Sequence, residues 1–151
     1  MTRSAERVCI QWTPHDRLAV DVFEAIDDDL QLFLWPSAFV LAGYIATSED
    51  FRDKRVLELG AGAGLPSLVA GKIGALKVTI TDRSEETTLR LIQDNIDLNS
   101  LGSVCSVVYR PYLITNLMSL PGELMSEPSF VWWKTSRSSS QPMFCIRMRV
   151  R

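Results

Sequence analysis

Lys54-Arg55-Val56-Leu57-Glu58-Leu59-Gly60-Ala61-Gly62-Ala63-Gly64-Leu65-Pro66 is the stretch that decides the fold. Val56 to Leu59 has the composition of a buried strand and runs directly into three glycines at alternate positions. A helical pattern starts at about Leu65, so the stretch predicts a strand, a tight turn and a helix N-terminus. That is the layout of a nucleotide-type cofactor site in an open α/β sheet. Glycine lets the backbone turn sharply and approach a ligand closely, and the first N–H groups of the helix face the same space.

The spacing narrows the ligand. A dinucleotide fingerprint is Gly-x-Gly-x-x-Gly, whereas Gly60-x-Gly62-x-Gly64 is one residue short, with Glu58 two places before the first glycine. No Gly-Lys-Ser/Thr follows, which excludes a phosphate-gripping P-loop. Working outward, Lys77-Val78-Thr79-Ile80-Thr81-Asp82 reads as the next strand by its β-branched content. Asp82 ends it 18 positions after Gly64, close to the ~20 expected of a carboxylate that accepts from two ribose hydroxyls.

Upstream, residues 7–12 and 18–23 are strand-like around a turn at Thr13-Pro14-His15-Asp16, which predicts a short hairpin. His15 reads as a solvated or packed histidine, and Asp27-Asp28-Asp29 as a solvated loop or helix start. Pro36 suits the first turn of a helix whose buried face carries Phe39, Ala42 and Ile45 or Ala46. Downstream of the glycines, a short helix ends at Gly74 in a C′-like position. Ser84 caps the next helix, which buries a stripe of Leu89, Ile92 and Ile96. Val104 to Tyr109 gives a third strand.

Glu-x-Gly-x-Gly-x-Gly resembles the first motif of the seven-β-strand methyltransferases that use S-adenosylmethionine. The longer pattern Leu34-Trp35-Pro36-Ser37-Ala38-x-x-Leu41-Ala42-x-Tyr44, followed by Val56-Leu57-Glu58-Leu59-Gly60-Ala61-Gly62-x-Gly64-Leu65-Pro66, is similar to small protein methyltransferases called family sixteen. The likeness covers roughly residues 30–99, to which Asn95-Ile96-Asp97-Leu98-Asn99 also belongs. It implies an α/β, Rossmann-like seven-β-strand methyltransferase fold with S-adenosylmethionine as cofactor. Gly60, Ala61, Gly62 and Gly64 would lie against the cofactor, Glu58 would bond its amino-acid end, directly or through water, and Trp35 would border the pocket. Asp82 would hold the ribose. The acceptor implied is a protein side chain, lysine in many members and arginine a possibility in one, histones being among the candidate substrates.

Beyond Arg110 the family pattern stops. Neither its Trp-Gly nor its acidic, acceptor-lining segment is present; Trp132-Trp133 is followed by Lys134, with no acid after it. Residues 1–127 hold 11 basic and all 18 acidic residues, and residues 128–151 hold five basic ones, around a serine-rich run. From Lys54 to the end there are 98 residues, too few for seven strands of about 5–6 residues with helices of about 11 between them. The expectation is an incomplete sheet in a truncated or spliced form: an N-terminal hairpin over 1–29, a cofactor-binding half domain over 30–110, and a divergent, partly disordered basic tail over 111–151. No catalytic acid or base is assigned. Two functions share every motif: a protein lysine or arginine N-methyltransferase, and a non-catalytic binding or partner module. A dinucleotide enzyme is disfavoured by the glycine spacing.

At 151 residues with 46% hydrophobic and 23% charged, the composition fits one domain with a sizeable core. No run of ~18 apolar residues predicts a membrane span, and Met1 to Glu6 does not read as a secretory signal. Cys9, Cys105 and Cys145 have no metal-ligand spacing and suggest a reducing compartment, cytoplasm or nucleus. Neither a metal nor direct nucleic-acid binding is expected.

Overall fold

The computed structural model describes residues 2–11, 13, 16–26, 33–48, 51–82, 86–108, 130–133 and 146–148. Expectations for His15, Asp27-Asp28-Asp29, the Ser84 cap, residues 109–129 and the serine run fall outside these residues.

The chain opens with β1 (Thr2–Gln11) and β2 (Arg17–Ile26), paired antiparallel from Thr2↔Ile26 to Gln11↔Arg17. Strand alternation sends Val8, Ile10, Val20 and Val22 to one face, where all four are buried. The other face carries the cross-strand pair Arg7 and Asp21, joined at 2.6 and 2.9 Å. This hairpin is longer than the sequence predicts, and its apolar face belongs to the same core as the helices that follow.

Helix α1 (Pro36–Thr47) starts with the expected proline in its first turn. Its buried side is Ala38, Ala42, Ile45 and Ala46. Phe39, expected there, is instead 39% exposed. The helix is apolar nearly all round, so spacing alone does not phase it. Small alanines take the inner side, which suits close packing of α1 on the next helix.

The central sheet starts at β3 (Arg55–Leu59) and continues through β4 (Lys77–Thr81) and β5 (Cys105–Val107). Between them lie α2 (Leu65–Lys72) and α3 (Glu86–Leu98). Gly74, with φ of 100°, ends α2 as anticipated, and Leu89, Ile92 and Ile96 are buried along α3. α2 sits very close to β5: an added Cβ at Gly71 would stand 2.8 Å from Cys105 Sγ and 3.3 Å from Leu101.

Two further strands fall in the segment read from the sequence as a divergent, partly disordered basic tail. β6 (Phe130–Trp133) lies parallel to β3, and β7 (Ile146–Met148) antiparallel to β6. Phe130-Val131-Trp132-Trp133 is a short unbroken apolar run, the composition of a parallel strand, which has no alternation to reveal it. The described sheet therefore has five strands in the order β5-β4-β3-β6-β7. The chain winds outward from β3 to β5 and then resumes on the opposite side of β3. That reversal is a topological switch point, beside which ligands bind in open α/β sheets.

Candidate functional site

The turn leaving β3 shows why its glycines are needed. Gly60, Gly62 and Gly64 have φ of 68°, 58° and 81°. All three lie in the left-handed region, where a side chain costs roughly 1–2 kcal/mol. The turn is held from within and from β4. Gly64 N–H donates to Ala61 O at 3.0 Å, and Ala61 N–H donates to Thr81 O at 3.1 Å. Thr81 Oγ1 donates to Glu58 O at 2.9 Å, locking the C-terminal ends of β3 and β4 together.

Asp82 follows directly after β4, half-buried, and its Oδ2 accepts from Gly62 N–H at 2.5 Å. The carboxylate expected at the ribose thus lies against the middle of the glycine turn. Glu58 lies beneath the turn. It is 2% exposed, and its Oε2 accepts from both the N–H of Ser67, at 3.1 Å, and the Ser67 hydroxyl. Ser67 is the third residue of α2, so a strand residue supplies the anion for the helix N-terminus. Pro66 has no N–H to offer, and Leu68 N–H goes back to Gly64 O at 3.0 Å.

This arrangement has an electrostatic consequence. In a pyrophosphate site, free N–H groups and the positive end of the helix meet the ligand's negative charge. Here a buried carboxylate already receives the Ser67 N–H, and a second carboxylate stands beside the turn. The buried Glu58 carboxylate on the helix end opposes an anionic diphosphate and suits a neutral or cationic ligand, whereas an acid at the position of Asp82 serves ribose-binding sites of both kinds.

The structure therefore brings Glu58, Gly60, Ala61, Gly62, Gly64 and Asp82 together at the strand ends. Trp35 stands at the head of α1, half-buried, with its ring edge-to-face against Phe33 at 6.4 Å between centroids. Its segment is strapped to the hairpin, because Leu34 N–H donates to the buried Glu24 carboxylate at 2.9 Å. Cys105, also behind the site, is no nucleophile. Burial, with the nearby negative charge of Glu58, pushes its thiol up to about 12, so it stays protonated at neutral pH.

Sequence reasoning missed Asn95, which is fully buried on α3. Its amide donates to Ala63 O, inside the glycine turn, at 2.9 Å and to Phe23 O at 3.1 Å, while its Oδ1 accepts from Phe23 N–H at 2.6 Å. The available signal was an asparagine at position 95 in the interior of α3, where this residue is poorly suited.

Comparison with known proteins agrees with this geometry. Over 70 residues the chain is 44% identical to the protein N-terminal and lysine N-methyltransferase EFM7 of Cryptococcus neoformans, covering 46% of this chain and 23% of that protein. Over 70 residues it is 40% identical to the histone-arginine methyltransferase METTL23 of Xenopus laevis, covering 46% of this chain and 30% of that one. The matched stretch is thus under a third of each relative's length. A solved transferase structure from Pyrococcus horikoshii superposes with a TM-score of 0.54 at 16% identity, over 76% of this chain and 48% of the other, a likeness of fold. The family-sixteen methyltransferase model, described as lysine methyltransferase, matches residues 14–113. With more than half of its length inside that match, the chain belongs to this lysine methyltransferase family.

Proposed function

We propose that this chain binds S-adenosylmethionine over the glycine turn and serves methyl transfer to a nitrogen of a protein side chain. The observation that carries the reading is the Glu58 carboxylate bound to the first turn of α2, with Asp82 beside it. Such a site disfavours a diphosphate and favours a ligand that carries a sulfonium charge and a ribose. When bound, the cofactor supplies an already electrophilic methyl group, so the protein's part is binding, orientation and exclusion of competing geometry.

Each residue then has a task. Gly60, Ala61, Gly62 and Gly64 let backbone approach the ligand. Asp82 accepts from the ribose hydroxyls while its other bond keeps the turn closed. Glu58 works from below, fixing α2 against the turn and adding negative potential that complements the sulfonium. Trp35 borders the pocket, as in the family. The acceptor is a lysine or arginine side chain, both of them classes that the relatives' names carry beside the protein N-terminus, with histones one candidate and cytoplasm or nucleus the proposed location.

Asp82→Ala tests the ribose assignment. Losing hydrogen bonds to a charged group predicts about a 100-fold weaker affinity for S-adenosylhomocysteine in a titration of the folded variant. Unchanged affinity would remove Asp82 from the site.

A further inference from the structure

The outer edge of β2 is paired by side chains. Phe23 exchanges two hydrogen bonds with the amide of Asn95, and Asp21 does the same with Asn99, whose Oδ1 accepts from Asp21 N–H at 3.2 Å and whose amide donates to Asp21 O at 2.6 Å. The match is geometric. Residues four apart on a helix are separated by roughly 6 Å along its axis, and residues two apart on a strand by roughly 6.6 Å. Two amides, one in the last turn of α3 and one on the residue directly after it, thus act as a partner strand for β2. They satisfy backbone groups that a sheet edge would otherwise leave open.

The two asparagines differ in one respect. The spare donor of Asn99 returns to Asn95 O, at 2.8 Å, in the last turn of α3. The spare donor of Asn95 goes to Ala63 O, between Gly62 and Gly64. Ala63 lies within the turn that Gly64 N–H closes onto Ala61 O. One fully buried amide therefore touches the hairpin and the glycine turn at once, across 72 residues of sequence on one side and 32 on the other.

We propose that Asn95 is a positioning residue that makes the shape of the glycine turn depend on the docked hairpin, so that the hairpin is a working part of the cofactor site. The consequence for affinity rests on the cofactor reading above; the coupling itself does not. Asn95 fixes the Ala63 carbonyl and hence the peptide planes on either side of it. Its own orientation is fixed by two bonds to Phe23.

The test compares Asn95→Ala and the near-isosteric Asn95→Asp with Asn99→Ala in the full chain. Asn95→Asp keeps the shape and the acceptor for Phe23 N–H but removes both donations. Amide hydrogen exchange without ligand is expected to rise at Gly62 and Gly64 in both Asn95 variants, and at Asp21 but not in the turn in Asn99→Ala. S-adenosylhomocysteine affinity is expected to fall about tenfold or more in the Asn95 variants, the factor that loss of a buried hydrogen bond brings, and to stay within about twofold in Asn99→Ala. A merely structural role would loosen the fold in all three variants without singling out the turn. Unchanged exchange at Gly62 and Gly64 in Asn95→Asp would overturn the proposal. Absence of S-adenosylhomocysteine binding by the unaltered chain would overturn the cofactor reading instead, and the exchange result would then decide the coupling by itself.

Discussion

The glycine turn and the seam between the hairpin and α3 are both held by buried polar bonds, yet they are built in opposite ways. In the turn, the partners are nearer in sequence: Gly64 closes onto Ala61, Glu58 reaches Ser67 nine residues on, and Gly62 meets Asp82 20 residues on. In the seam, Asn95 and Asn99 reach Phe23 and Asp21 from 72 and 78 residues away. The first is complete once the successive elements β3, α2 and β4 have formed. The second exists only when the whole core has closed. Local construction gives the turn a fixed shape, and the seam joins that shape to the rest of the molecule.

Breaking the local device should have the larger effect on stability. Glu58→Ala leaves the N–H and hydroxyl of Ser67 buried without their acceptor and opens a small cavity under the turn. The expected cost is about 3 kcal/mol, read as a lowered urea midpoint. A change below about 1 kcal/mol would show that α2 does not depend on this carboxylate. Asn99→Ala probes the seam away from the turn and removes a partly buried bidentate pair. Its expected cost is about 1 kcal/mol, with β2 amides losing exchange protection. A cost equal to that of Glu58→Ala would erase the distinction between the two regions.

The same contrast explains what the sequence reveals. Glu58, the three glycines and Asp82 are legible because strand, turn and strand end follow each other in order, and the structure gathers them at one place. That Glu58 bonds Ser67 was not legible, because the motif shows an acid near a turn without showing that it points under the helix. Phe39, expected on the buried face, is exposed while Ala38 is buried, because an apolar helix has no polar face to orient it. β6 is hidden in four residues without alternation, inside a segment whose serines and basic residues dominate its composition. Asn95 carries no local sign of its partners at all. What sequence reading recovers here is short-range geometry, and what it loses is set by tertiary contact.

The central claim is that a buried acid at the α2 N-terminus selects against a diphosphate and for S-adenosylmethionine. Calorimetric titration of the purified, folded chain with S-adenosylhomocysteine and with a nicotinamide dinucleotide tests it most directly. The account predicts saturable binding of S-adenosylhomocysteine and none of the dinucleotide at the same concentrations. Equal or tighter binding of the dinucleotide would contradict it.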